Sequence, residues 1–575
     1  MLFPAITQNT HRAVFYISNI EQQAQPEKAA QKSSKGESFL KGTVILTIAG
    51  FVVKVIGSLN WIFVSRILGG EGIGLYQMAF PIYFFAMTVS QAGVPVAISI
   101  ITAERVALKD IYGAKRVFHI SMAFMLVSGL IFSLLTYFSA GWLIDYQFIR
   151  DPRAYKAVVV LAPTVFFVTL LASSRGYLQG WQRMTPTAVS QIVEQIFRVI
   201  TMILLAYLLL PWGLDYAAAG ASLGALAGAV TGLMVLVYYH WRLDRDIERD
   251  YGHVAPLPDV PQERTWKIIK RIFQLSLPVS ASSLMLPVVS NLDLMIVPQR
   301  LEVAGYSVNQ ATELFGYLTG MAVPLVNLAC IITASMAMSI VPVISEARAL
   351  RNKQKIYDTT SMSVRISNIV CFPAFVIVFV LATPISSLIY NAPGAGPAVM
   401  ISAVSIVLLG LHQVSTAILQ GLGHPTIPMV NMVLAAAAKV ILNWNLTAIP
   451  WLGIMGSAWA TAADMGVAAI INLFFIWKFL GYRIELPQLV KTIFAAAVMA
   501  VGVYYFYDLT MAWWGVGAIS TFGAVFFGCA VDLIVMLLIG GMHEDDLRHM
   551  PMLGGVLIRV FRKLGVFKTA EEAAK

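Results

Sequence analysis

The chain has 575 residues, of which 58% are hydrophobic and 12% charged; a soluble domain carries about a quarter charged residues. Mean hydropathy is +0.75 and the formal net charge is +10. These values exclude a soluble enzyme, a disordered chain and a secreted disulfide scaffold, and predict an all-α, multi-pass integral membrane protein.

Residues 1–40 are polar and read as a cytoplasmic leader, since no small-residue cleavage site follows the first apolar run. Fourteen apolar segments follow, at about 43–65, 75–101, 117–143, 157–174, 187–210, 214–239, 268–298, 314–342, 364–389, 398–420, 427–447, 452–477, 490–508 and 514–540. A span needs about 20 apolar residues. Open strands would leave backbone groups unsatisfied in lipid, so every segment predicts a helix.

Segments one to six make an N-lobe, 41–240, and segments seven to twelve a C-lobe, 268–480. The charged loop at about 240–267 carries HWRLDRDIERDYGHVAPLPDVPQER, and 241–267 reads as a cytoplasmic linker. Segments thirteen and fourteen fill 481–542, and 543–575 reads as a cytoplasmic tail forming a surface helix.

Lys and Arg placement orients the chain. With a cytoplasmic N-terminus, the leader, even-numbered loops and tail hold 31 of the 40 basic residues, and the odd-numbered loops five. Both termini are therefore expected in the cytoplasm. The basic loops lie against an anionic inner leaflet, which accounts for the net charge without nucleic acid.

An internal repeat links the lobes. YLQGWQRMTPTAVSQIVEQIFRV (177–199) aligns with ILQGLGHPTIPMVNMVLAAAAKV (418–440), placing Thr185 on Thr426 and Arg198 on Lys439. A shorter match joins MAFPIYF (78–84) to MAVPLVN (321–327). Repeats around a central pathway mark many secondary transporters.

Charged residues inside spans cost roughly 2.5–3.5 kcal/mol on insertion scales and so should face protein or water. In segment one, Thr47, Gly50, Lys54, Ser58, Trp61 and Ser65 form a polar stripe at helical spacing, with Asn60 close by. Lys54 is about ten residues from either end, too deep for easy snorkelling, and is expected to line a cavity. In segment five, Glu194 and Arg198 stand at i,i+4: a self-neutralised pair, or an arginine held ready for an anion.

Asp293 lies deep in segment seven, where it would bind a cation or proton or pair with Arg300. Arg300 and Arg66 sit near the outer ends of segments seven and one, as gate or headgroup contacts. Arg365 is near the cytoplasmic end of segment nine, within snorkelling reach. In segment eleven, Lys439 has Ala435 where Arg198 has Glu194, so its compensation falls to Asp464 of segment twelve or to the substrate.

No catalytic constellation, metal-ligand spacing or Walker motif is present. Cys330, Cys371 and Cys529 fall in apolar segments and read as small buried hydrophobes. GGEGIG (69–74) reads as a turn between helices.

The stretches SSRGYLQGWQRMTPTAVSQIVEQIFRV, SRILGGEGIGLYQMAFPIY and AGVPVAISIITAE closely resemble the stage V sporulation protein B / YtgP-type branch of polysaccharide exporters, related to the lipid II flippase MurJ. The resemblance covers about 40–540 and implies the MOP-superfamily fold: two six-helix lobes in a V, with helices thirteen and fourteen forming a lipid groove. It implies alternating-access flipping of an undecaprenyl-diphosphate-linked sugar, most prominently lipid II, to the outer leaflet of a bacterial plasma membrane. The partners it implies are the lipid-linked oligosaccharide, membrane lipids and the cell-wall synthesis machinery.

The MurJ first-helix cation matches Lys54. Asn60 stands where that branch has a second arginine, and its second-helix arginine falls near Phe85 or Ala86. Lipid II and another lipid-linked glycan thus both stay open as the load. On this reading Lys54, Arg198 and Lys439 cradle the diphosphate, with Ser58, Asn60, Glu194, Arg300 and Arg365 as further substrate contacts. The energy source is the membrane potential or a coupling cation, Na+ or H+, at Asp293 or Asp464. A cation-coupled multidrug exporter of the same superfamily is the rival, and three deep cations favour an anionic load over it. A glycosyltransferase would need acidic or histidine-rich outer loops, which are missing.

Overall fold

The computed structural model describes residues 27–91, 93–251, 263–515 and 517–541; the expected leader up to residue 26, the middle of the linker and the tail lie outside the described residues. Helices account for nearly all of it: α1 (Glu27–Gln91), α2 (Val94–Ala107), α3 (Ile111–Asp145), α4 (Tyr155–Gly180), α5 (Thr185–Leu209) and α6 (Leu214–Tyr251). After the linker come α7 (Thr265–Val303), α8 (Val308–Gly316), α9 (Val323–Ala329), α10 (Ile331–Ala349), α11 (Lys353–Val380), α12 (Ala382–Ile385), α13 (Gly396–Gly421), α14 (Thr426–Leu446) and α15 (Ile454–Leu480). The last pair is α16 (Leu486–Trp514) and α17 (Ala518–Leu538). No strand occurs among the described residues.

Twelve helical runs among the described residues are long and apolar enough to cross a membrane. One of them, Ile48–Ala107, holds the first two expected segments. These are separated inside α1 by Gly69, whose φ of 63° and ψ of −173° only glycine adopts freely, so α1 is two spans meeting at a sharp kink. The eighth expected segment is broken: α8 runs into a π turn, Tyr317–Ala322, then α9 and α10. A second π turn, Ser386–Tyr390, follows α12, and the Tyr390 hydroxyl donates to the Met321 carbonyl at 3.2 Å, joining the two irregular turns.

The repeat extends into backbone detail. α4 and α13 each have 26 residues, each follows a proline-led 3₁₀ turn (Pro152–Ala154, Pro393–Ala395) and each ends on Leu-Gln-Gly. Two residues beyond each, Gln182 and Gly423 take positive φ. α3 and α11 share a start too. Lys109 and Arg351 have positive φ, after which the Asp110 and Asn352 side chains accept from the backbone N–H of Gly113 (2.8 Å) and Lys355 (3.0 Å). A short polar acceptor at the N-cap satisfies an otherwise orphaned donor in both halves.

The lobes meet most closely at the Gly69 end. Arg66 donates through Nε to the Ile389 carbonyl at 2.8 Å and through Nη2 to that of Leu388. Gln77 donates to the Thr319 carbonyl at 2.9 Å, and Thr312 to the Asp151 carboxylate at 2.9 Å. A Cβ on Gly70 would strike the Tyr317 ring, one on Gly74 the Thr312 carbonyl and one on Gly316 the Gly70 carbonyl. GGEGIG is thus more than a turn, since its glycines let two backbones from opposite lobes touch. At the opposite end, Arg105 bonds Glu263 at 2.9 Å and Arg271 bonds Glu104, ties that run through α7 and the residues before it.

Candidate functional site

Between the lobes lies a chamber of about 490 Å³. The N-lobe contributes Lys54, Ser58, Asn60 and Trp61 from the first span of α1, Tyr76 and Phe80 from its second, and Gln195, Arg198 and Met202 from α5. The C-lobe faces them with residues of α9 and α10 and with Gln413 of α13. Of the polar stripe of segment one, Lys54, Ser58 and Trp61 line this chamber and Gly50 and Ser65 do not; Asn60 and Arg198 share it. The Thr47 side chain lies outside the described ones.

The two cations differ in setting. Lys54 is exposed and has no acidic partner among the described residues. Arg198 donates to Glu194 Oε1 at 2.6 Å, while Arg175 donates to Glu194 Oε2 at 2.8 Å and to Ser190 Oγ at 3.0 Å. One carboxylate between two guanidiniums leaves the triad with a net positive charge. Arg198 Nε is buried without a hydrogen-bond partner. Arg175 escaped the sequence reading, which placed it at a loop end. The signal was available in Ser190 and Glu194, four apart on the face of α5 that turns toward α4.

Lys439 does not line this chamber. It is 6% exposed and donates to Asp293 Oδ2 at 2.5 Å, while Asn443 donates to Asp293 Oδ1 at 2.9 Å. The expected trio of cations is thereby corrected to a pair in the chamber and a third locked to an acid. The acid is Asp293 rather than Asp464, and Asp293 pairs with Lys439 rather than with Arg300. Asp464 is buried close enough to interact electrostatically with both members of the pair.

Arg300 is held elsewhere, donating to the Trp444 carbonyl at 2.8 Å with its guanidinium 4.5 Å from that ring's centre. Arg365 sits 3.9 Å from Glu485 in a small polar pocket between α11 and the start of α16. Neither borders the chamber.

The lobes diverge in chemistry where they agree in backbone. Arg175, Ser190 and Glu194 stand 241 residues before Thr416, Asn431 and Ala435, the same interval that separates Gly180 from Gly421. In the C-lobe, Asn431 donates to Asn472 at 2.7 Å, and Asn472 to Thr416 at 3.0 Å. A neutral amide network replaces the charged triad.

Two pseudo-repeated helical lobes around a cationic chamber define an all-α, multi-pass membrane protein built of two matched halves. Solved structures agree on the fold. The lipid II flippase MurJ in its inward closed conformation superposes with a TM-score of 0.64 at 16% identity, covering 86% of this chain and 98% of that one. An inward-facing multidrug resistance MATE family transporter gives 0.60 at 18%, covering 76% and 98%.

The chain belongs to the polysaccharide biosynthesis protein family, whose model matches residues 39–348; the MatE model matches 318–445. Among curated relatives, stage V sporulation protein B of Bacillus subtilis (strain 168) is 30% identical over 523 residues, 91% of this chain and 99% of that protein. Lipid II flippase MurJ of the same organism is 24% identical over 526 residues, 87% and 93% of the two chains.

Proposed function

We propose that the protein flips an undecaprenyl-diphosphate-linked sugar precursor, lipid II foremost, from the inner to the outer leaflet of a bacterial plasma membrane by alternating access. The reading rests on Lys54 and Arg198 sharing one chamber between the lobes. A diphosphate is strongly hydrated and costly to move into hydrocarbon, and charge-assisted hydrogen bonds from an ammonium and a guanidinium replace that hydration. The relatives support it: one is a lipid II flippase. Another is a low-salt glycan biosynthesis flippase, probable by its name, 25% identical over 219 residues.

Glu194 argues against a site for cationic drugs, because two arginines already occupy its oxygens. For coupling, Asp293 is satisfied by an ammonium and an amide, so the proposal narrows to Asp464, with H+ or Na+ as the ion. The excess of Lys and Arg in alternate loops supports cytoplasmic termini, and the proposed partners include the cell-wall synthesis machinery.

The test is a flipping assay in proteoliposomes with fluorescent lipid II. Wild-type protein should move the probe across the bilayer, and the Lys54→Gln/Arg198→Gln double variant should not, though it inserts normally. Equal flipping by the double variant defeats the reading.

A further inference from the structure

The chamber walls carry more chemistry than a diphosphate can use. Phosphate oxygens only accept hydrogen bonds at neutral pH. Asn60 is 6% exposed, its amide nitrogen lies 3.1 Å from Met202 Sδ, and its Oδ1 is buried without a donor. A buried acceptor left unpaired is costly, and a diphosphate cannot supply the missing donor. A sugar hydroxyl or acetamido N–H can.

Beside Asn60 the chamber is aromatic. Trp61 and Tyr76 pack edge to face with centroids 5.8 Å apart, and Phe80 stacks on Tyr76 at 6.2 Å. All three line the chamber. A pyranose ring has an apolar C–H face that packs on such rings and an edge of hydroxyls that needs polar partners. Across the chamber, Thr333 donates to Gln413 Oε1 at 2.8 Å, which leaves the Gln413 amide NH₂ without a protein partner among the described residues. This amide belongs to the other lobe.

The order along the helix also fits. Trp61 lies seven residues beyond Lys54, two turns and about 10 Å further toward the Gly69 end on the same face. The volume of about 490 Å³ is ordinary for a small-molecule site, where about 300–1,000 Å³ is usual.

We infer that the chamber contains a distinct sugar subsite: the first pyranose of the headgroup packs on Trp61 and Tyr76, Asn60 Oδ1 accepts from it, and Gln413 donates to it from the opposite lobe. The inference rests on the diphosphate reading above and deepens it. The sugar, rather than the phosphates, is the part of the cargo that both lobes touch, so it reports a correct load to the C-lobe.

Isothermal titration of the full chain in nanodiscs tests this with two probes, geranylgeranyl diphosphate and the same lipid diphosphate carrying N-acetylglucosamine. The sugar should tighten binding about tenfold, one aromatic contact or one hydrogen bond being worth that order. In Trp61→Leu, Asn60→Ala and Gln413→Ala the ratio of the two affinities should fall to within about twofold, while Trp61→Tyr keeps most of it. The ratio is internally controlled, so a partly misfolded variant does not imitate the result. Bare binding with no sugar increment in wild type, or variants that lose both probes equally, overturns the subsite alone. Failure of wild type to bind the bare diphosphate overturns the flippase reading and the subsite with it.

Discussion

Lys439 and Asp293 meet at 2.5 Å from two different helices of the C-lobe, α14 and α7, with Asn443 completing the carboxylate's bonds. Removing one partner of a buried ion pair strands the other, at about 3–5 kcal/mol, whereas an apolar replacement of both is often neutral. Asp293→Asn should therefore lower the unfolding temperature sharply, and Lys439→Met/Asp293→Leu should recover most of it. A fluorescence-detected melting curve reads both. If the double variant also flips lipid at the wild-type rate, the pair is structural and plays no part in energy coupling.

Arg175 holds one oxygen of Glu194 while Arg198 holds the other. Arg175→Met frees that oxygen, so Glu194 should draw Arg198 into a two-toothed grip and away from an incoming anion. Affinity for a lipid diphosphate should drop about tenfold, as expected for one charged hydrogen bond, with Lys54 untouched. Unchanged affinity in a titration would show that Arg198 is not contested.

Gly69 has a backbone conformation that costs other residues about 1–3 kcal/mol, and Gly74 lies directly against Thr312 of the other lobe. Gly69→Ala should destabilise by that amount, read from thermal melts. Gly74→Val should do something different: it should part the lobes at that end and admit a maleimide to a cysteine placed at Ser58. Labelling no faster than in the parent would mean this contact does not hold the end shut.

On the proposed orientation, residues 109 and 182 face the cytoplasm and residue 391 lies outside. Cysteines at Gln182 and Asn391, both in turns of positive φ, should label oppositely with a membrane-impermeant reagent in whole cells: Asn391→Cys at once, Gln182→Cys only after permeabilisation. The reverse pattern inverts the chain.

Apolar runs located the helices well because span length and backbone satisfaction in lipid leave few alternatives. The Leu-Gln-Gly repeat likewise pointed to matched lobes, and the matched caps at Asp110 and Asn352 carry it further. What escaped the sequence was pairing between helices. The stripe Lys54–Ser58–Trp61 shows a face through its own spacing, but nothing in the spacing of α14 says that Lys439 reaches Asp293 some 146 residues earlier. Arg175 was missed although Ser190 and Glu194 mark the face of α5 it meets, since that partner lies on the next helix. The π turns at 317–322 and 386–390 also lack a signal, because their residues are as apolar as the helices around them.

Where the halves agree turn for turn in their backbone, their charges do not: one keeps an open hand and the other has closed its own. A passenger held by charge would accordingly ride with the first half through the whole cycle, while the second slides past it. Exchange of equivalent residues between the halves should then be far less forgiving than the shared architecture suggests.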